Sequence, residues 1–281
     1  MRKKLNSATK ALLLAALVVA LCFGASCSEE EPQPTPPESA APPESAPAQP
    51  AEEVEQAAAA ETPAEAPAPA EVAPAPASDV KLVPMDIELP KPMFVGTPQD
   101  IKVDNLEKPL GKPRPPFLAP EGTTNLAKEK PISASDEEPI IGDIEMITDS
   151  DKEAADGSYV ELGPFVQHVT VDLEKESELY AIVVWHYHKQ PRVYFDVVVQ
   201  VSNDKDFISD VKTVFNNDID NSAGLGIGKD MHYTETSEGK LIDLLSQGSP
   251  KGRYVRLYSN GNTSNDLNHY IEVDVYGKPV E

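Results

Sequence analysis

Between Tyr159 and Gly277 the chain repeats one pattern: short runs rich in Val, Ile and Tyr, each closed off by Gly, Pro, Asn or Asp. The runs fall at Tyr159–Leu162, Gln167–Leu173, Leu179–Tyr187, Val193–Ser202, Thr213–Phe215, Tyr254–Tyr258 and Tyr270–Tyr276. β-Branched and aromatic side chains suit a pleated, half-buried surface, and the breakers between them mark turns. Little helical periodicity intervenes, and no internal repeat is visible. Short strands at this spacing predict an all-β domain, an antiparallel sandwich of two sheets sharing one core.

Both cysteines, Cys22 and Cys27, precede this region, so the domain can form no internal disulfide. It must be held by its core, which a domain of roughly 150 residues can supply. Arg2, Lys3, Lys4 and Lys10 lead into the apolar run Ala11–Phe23, which predicts a secretion signal and is too short for a comfortable transmembrane helix. The run ends in Gly24-Ala25-Ser26-Cys27, and these small residues before a cysteine resemble a bacterial lipobox. The resemblance implies cleavage before Cys27 and lipid on its thiol and amino group, with Gly24 standing where Leu is usual. An ordinary signal peptide cut near Ala25 is the alternative. By the same resemblance, Ser28 rather than aspartate after the cysteine implies the outer membrane of a bacterial cell envelope, with the globular part outside the cytoplasm.

The signal peptide is thus placed at 1–27. Residues 28–80 are dominated by Ala, Pro and Glu, carry only negative charge and include no aromatic side chain. With no apolar period to bury and prolines throughout, this segment is expected to be a disordered, semi-rigid stalk. Residues 81–124 mix Leu82, Val83, Ile87, Leu89, Phe94, Ile101, Leu106 and Phe117 with prolines. That is too apolar for a solvated linker and too interrupted for long regular elements. An extended strap packed along the domain is expected, with a partner-recognition segment as the alternative. The formal net charge of -23 argues against nucleic acid and anionic headgroups, whose phosphates need Lys and Arg. Contact with membrane is expected through the lipid anchor only.

Residues 125–281 carry a series of pieces in a fixed order: Val169-Thr-Val-Asp-Leu173, Leu179-Tyr-Ala-Ile-Val-Val-Trp185, Val197-Val-Val-Gln-Val-Ser-Asn-Asp204, Arg253-Tyr-Val-Arg256 and Glu272-Val-Asp-Val-Tyr-Gly277. The series resembles discoidin-like domains of the coagulation factor 5/8 C-terminal type and the similar family 32 carbohydrate-binding modules. The resemblance implies a galactose-binding-like jelly roll that binds a carbohydrate or an extracellular protein without transforming it. It also implies one structural Ca²⁺ where a loop meets the last strand, at Asp149, Asp151 and Glu272. Carboxylates suit such a hard cation. A solvated acidic turn, with Glu272 paired to Arg256, is the plainer alternative.

Three groups of residues are candidates for ligand contact. Tyr187, His188 and Arg192 leave a strand end, where a ring face can stack on a pyranose and Arg and His can donate to hydroxyls. Asn262 and His269 belong with Asn260, Asn265 and Asn268 to a polar cluster able to donate and accept. The loop Phe215–Gly228 holds Asn217 and Asp218, with an Asp218-x-Asp220-x-Ser222 spacing like that of a calcium loop. Lys229 stands where such a loop needs a bidentate glutamate. Hydrogen bonding within the loops is the alternative for all three groups. Trp185 is expected in the core, and His186 with His188 lacks a third ligand for zinc. No Gly-x-Ser-x-Gly elbow or His-Glu-x-x-His helix occurs, so no catalysis is expected.

Overall fold

The computed structural model describes residues 80–94 and 101–281. The expected signal peptide with Cys27, and the expected stalk up to residue 79, lie outside the described residues. In chain order the strands are β1 (Leu82–Pro84), β2 (Leu118–Pro120), β3 (Thr124–Asn125), β4 (Ile132–Ala134), β5 (Val160–Pro164) and β6 (Gln167–Trp185). Then come β7 (Val198–Ser202), β8 (Lys212–Asn216), β9 (Lys240–Asp243), β10 (Lys251–Ser259), β11 (Leu267–Tyr270) and β12 (Glu272–Pro279). One 3₁₀ turn, Ile144–Thr148, separates β4 from β5. All pairings between these strands are antiparallel.

β6 organises the sandwich. Its first half pairs with β4 and with β10, and the sheet continues from β10 through β7 to β8. Its second half pairs with β9 and with β12, which continues to β3. Gln167 lies opposite Ser259 at the start of β6, while at its end Trp185 O accepts from the Ile271 amide. The neighbouring Tyr270 hydroxyl donates back to Leu257 O of β10. Both ends of β6 therefore come to the same end of the sandwich. The corner between its halves is at Glu174, in the left-handed region (φ 65°). Ser177 pairs with Gly252 of β10 and with Pro279 of β12. The two strands expected at Gln167–Leu173 and Leu179–Tyr187 are thus one continuous strand, with the β10 register shifting at the corner between Asp172 and Ser177.

Side-chain alternation follows from this path. In the first half, Val169, Val171 and Leu173 face the main core. In the second half, Leu179, Ile182 and Val184 face that core, while Ala181, Val183 and Trp185 face a second apolar cluster on the outer side of the sheet. Met85, Ile87 and Phe117 cover this cluster together with Leu241. The proline-rich segment is therefore packed against the sheet, with the Met85 amide donating to Phe117 O (2.8 Å). Arg114 fastens it further on, donating through Nη1 to Gly239 O (3.0 Å). Each fully buried aliphatic side chain contributes about 1.5–3 kcal/mol, so the second half of β6 is stabilised from both faces. Trp185 is fully buried, and its Nε1–H donates to Ser237 O (3.0 Å). Gly239 is required beside it: its φ is +63°, and a Cβ there would meet Trp185 Cε2 at 2.7 Å.

Candidate functional site

The loops leaving β6, β8 and β10 gather at the end of the sandwich where β6 starts and finishes. A cleft of about 470 Å³ opens among them. Phe195 and Asp196, just ahead of β7, line it with Ile219, Asp220 and Ser222 from the loop after β8 and Asn260 from the loop after β10. Residues 102–104 of the strap complete the wall. Asp196 is the knot of this arrangement. It is buried in the left-handed conformation (φ 50°), and its Oδ2 accepts from Ser222 Oγ (2.6 Å) and from Asn260 Nδ2 (2.8 Å). Three separate stretches of chain thereby meet on one carboxylate. Phe195 is half-buried and packs edge-on against His232 (5.7 Å between centroids, 74°).

The loop after β8 is built by its own acidic side chains. Asp218 accepts from the Ser222 and Ala223 amides (3.0 Å each), and Asp220 accepts from the Ser222 amide (3.0 Å). Carboxylate oxygens of Asp196, Asp218 and Asp220 lie within 4.8 Å of one another. Burial, with repulsion from Asp196, holds the Asp218 carboxyl above its ordinary range, whereas hydrogen bonds from Ser222 hold Asp220 below it. Such a set has the oxygen chemistry of a hard-cation site, but its acceptors are already engaged by the loop's amides and hydroxyl. Asn217 is fully buried, its Oδ1 accepting from the Val197 amide (2.7 Å).

The other residues singled out for sugar contact are also inside. Tyr187, His188, Asn262 and His269 are all buried. The Arg192 guanidinium lies over the Tyr187 ring (4.6 Å), and Tyr159 packs against that ring edge-on (4.8 Å, 61°). The His188 Nε2 is bonded to Lys152 O (2.9 Å), and Asn262 Nδ2 donates to Asn265 Oδ1 (2.7 Å) and Leu267 O (2.9 Å). His269 Nε2 is paired with Glu161 Oε2 (2.9 Å). In this structure these side chains tie loops together rather than face a ligand. The cleft is lined by neighbours such as Phe195, Asp196 and Asn260.

Beneath the loops lies a buried polar cluster. His186 Nδ1 and Glu235 Oε1 are 2.9 Å apart and both residues are fully buried, with His186 stacked on Tyr194 (4.3 Å, 18°). His186 Nε2, Glu235 Oε2, Tyr194 OH, His269 Nδ1 and two Arg192 nitrogens are buried without partners. Burial pushes the Tyr194 and Tyr233 hydroxyls well above the usual tyrosine range. None of these groups borders the cleft, which is lined instead by their chain neighbours Phe195 and His232.

At the residues expected to hold calcium, only Glu272 is buried. Its Oε2 accepts from the Ser150 amide (3.0 Å), and its Oε1 is buried with no partner. Burial, followed by repulsion from Asp274, pushes its carboxyl up to about 9. Asp149 and Asp151 are exposed, and each Oδ1 accepts from the amide two residues on, Asp151 (2.7 Å) and Glu153 (2.9 Å). Glu272 is not paired with Arg256, which corrects that alternative. The Arg256 Nε donates to Thr170 Oγ1 (2.8 Å), and its guanidinium lies over Phe207 (4.1 Å).

No family model matches the chain, and no curated protein matches it. Among solved structures it is similar to truncated AlyQ with CBM32 and alginate lyase domains, at 15% identity and a TM-score of 0.40 over 57% of this chain and 34% of that one. The chain thus spans about a third of that protein's length. It is also similar to a Streptococcus pneumoniae fucose binding module, at 15% identity and a TM-score of 0.36 over 54% of this chain and 97% of that one. Similarity to chitosan-binding module 1 of a chitosanase/glucanase from Paenibacillus sp. is at 18% identity and a TM-score of 0.34, over 55% of this chain and 99% of that one. The antiparallel sandwich is defined independently of these likenesses, by the strand pairings of β6.

Proposed function

We propose that this domain is a non-catalytic carbohydrate-binding module whose ligand enters the cleft beside Phe195 and Asp196. The lining of that cleft carries the reading. A half-buried aromatic ring, an amide, a hydroxyl and carboxylates converge there from separate loops, and Asp196 holds the amide of Asn260 and the hydroxyl of Ser222 in place. A saccharide needs this mixture, an apolar face for its C–H surface and a few fixed polar groups for its hydroxyls. Carboxylates accept from hydroxyls, and the Asn260 amide can both donate and accept.

The proposal includes one structural Ca²⁺ at Glu272, to which Asp149, whose charge acts on it, and Asp151 would have to close in from their exposed positions. The buried, partnerless Oε1 of Glu272 supports the fit, since a cation there would compensate a carboxylate that the fold otherwise keeps protonated. When bound, the ion would supply charge compensation and loop rigidity. Display from a bacterial outer membrane through lipid on Cys27 belongs to the same proposal, supported by the apolar run Ala11–Phe23 and the small residues ahead of Cys27.

The test is a glycan array probed with the protein lacking its signal segment, in calcium and then in chelator. Binding that disappears in Phe195→Ala and Asn260→Ala variants of unchanged melting temperature supports the cleft. Silence across the array, from a folded and calcium-loaded sample, overturns the proposal. A protein-interaction role of the same fold would then take its place. It is favoured by one feature, an apolar groove of about 490 Å³ between the strap and the sheet, lined by Leu82, Phe117, Leu118, Leu241 and Leu245.

A further inference from the structure

Phe165 stands 79% exposed at the tip of the turn between β5 and β6. It does so with φ at 66°, a left-handed conformation that is costly for a bulky side chain and that persists only where the surroundings enforce it. The enforcing group is Asn268, which is fully buried. Its Nδ2 donates to Gly163 O and to Phe165 O (2.9 Å each), and its Oδ1 accepts from Ser259 Oγ (2.8 Å) and the Gly261 amide (2.9 Å). Both hydrogens and both lone-pair directions of one amide are thereby used. The turn under Phe165 is fixed to the same loop that brings Asn260 to the cleft.

Strand register places the two features side by side. Gln167 and Ser259 form the last rung of the β6–β10 ladder, and Phe165 and Gly261 each lie two residues beyond it. A large apolar ring is therefore held in water, in a strained backbone, next to a polar loop. Packing cannot be the reason, because the ring packs little of its surface.

Resting on the carbohydrate reading, we infer that Phe165 is an aromatic platform for a second sugar ring of an oligosaccharide whose first ring occupies the cleft. The C–H face of a pyranose stacks on such a ring, while the hydroxyls at its rim meet the Asn260–Gly261 loop. A lipid surface is a poorer match, since a net charge of -23 repels anionic headgroups.

The experiment compares the full chain with its Phe165→Ala and Phe165→Trp variants. The probes are N-acetylglucosamine against chitotetraose, galactose against β-1,4-galactotetraose, and vesicles of phosphatidylcholine and phosphatidylglycerol. Phe165→Ala should weaken binding of the tetrasaccharide that wild type takes by about tenfold, the scale of one good aromatic contact, and leave the monosaccharide within about twofold. Phe165→Trp should retain binding, with a blue shift of tryptophan emission on adding tetrasaccharide, because Trp185 is already buried. Tetrasaccharide affinity unchanged in Phe165→Ala overturns the platform while leaving the cleft intact. Loss confined to vesicle binding also overturns it, assigning the residue to membrane. Wild type that binds neither sugar of either pair overturns the platform together with the carbohydrate reading beneath it.

Discussion

Acid should destabilise this protein through His269. The residue is 2% exposed, and burial, reinforced by the nearby Arg192 charge, pushes its imidazole down to about 3. The hydrogen-bonding pattern says why. A carboxylate can only accept, so Nε2 carries the proton toward Glu161, and Nδ1 is left buried with no group to receive a second proton. In the unfolded chain the same ring titrates near its ordinary value of 6.5. Between these two values the unfolded state holds one more proton than the native state. The stability this group contributes is therefore complete above 6.5 and is lost as pH falls toward 3. The slope is about 1.4 kcal/mol per pH unit, so lowering the pH from 7 to 5 removes about 2 kcal/mol through this residue. Burial raises the Glu161 carboxyl, which opposes the effect only toward the acid end of the window. His269→Gln keeps an N–H for Glu161 and cannot charge. Urea unfolding of both proteins at the two pH values gives the answer: wild type should lose about 2 kcal/mol more than the variant. Equal losses would refute the argument that His269 is neutral in the native state.

Gly239→Ala should destabilise by about 2–3 kcal/mol, from a left-handed backbone and a Cβ driven into Trp185, read as a fall in melting temperature. Phe117→Ala should cost about 2 kcal/mol by uncovering the outer cluster around Trp185, and limited proteolysis should then cut the strap before the sandwich. Asp196→Ala leaves Ser222 and Asn260 without their shared acceptor; it should abolish glycan binding and speed amide exchange in the loop after β8, at a cost of about 1–3 kcal/mol. If calcium sits at Glu272, free ion at a hundred times its dissociation constant should add about 2.7 kcal/mol to wild type and nothing to Glu272→Gln, measured by thermal melts with and without chelator.

The parts of the fold that depend on local pattern were legible. Val169, Val171 and Leu173 alternate with polar neighbours, and the unbroken run Ala181–Trp185 is what a strand covered on both faces requires. What covers the second face was less so, because Met85, Ile87 and Phe117 lie far away in sequence among prolines. The stretch Val193–Ser202 reads as one strand, yet β7 begins only at Val198, since Asp196 turns the chain left-handed. An aspartate inside an apolar run was the available signal for that break, and it leads directly to the cleft. Tyr187 and His188 read equally well as sugar contacts or as buried ties. The outcome turns on Arg192 and Lys152 closing over them, a matter of loop path that residue type does not encode. The Gly163-Pro164-Phe165 turn reads as punctuation between strands, and its exposed ring follows only from the Asn268 clamp. Likewise Tyr270–Tyr276 reads as a single strand, but β11 pairs with β5 before β12 joins β6.

The corner in β6 also sets how the domain comes apart. Residues that belong to both sheets at once leave neither sheet free to melt alone, because loosening either one strips partners from the strand the other is built upon. Hydrogen exchange should therefore find Val171, deep in one sheet, and Val183, deep in the other, opening together with the same free energy as global unfolding. A denaturation curve should show a single cooperative step for the sandwich, with only the strap and the loops around the cleft exchanging ahead of it. The sandwich has no detachable half.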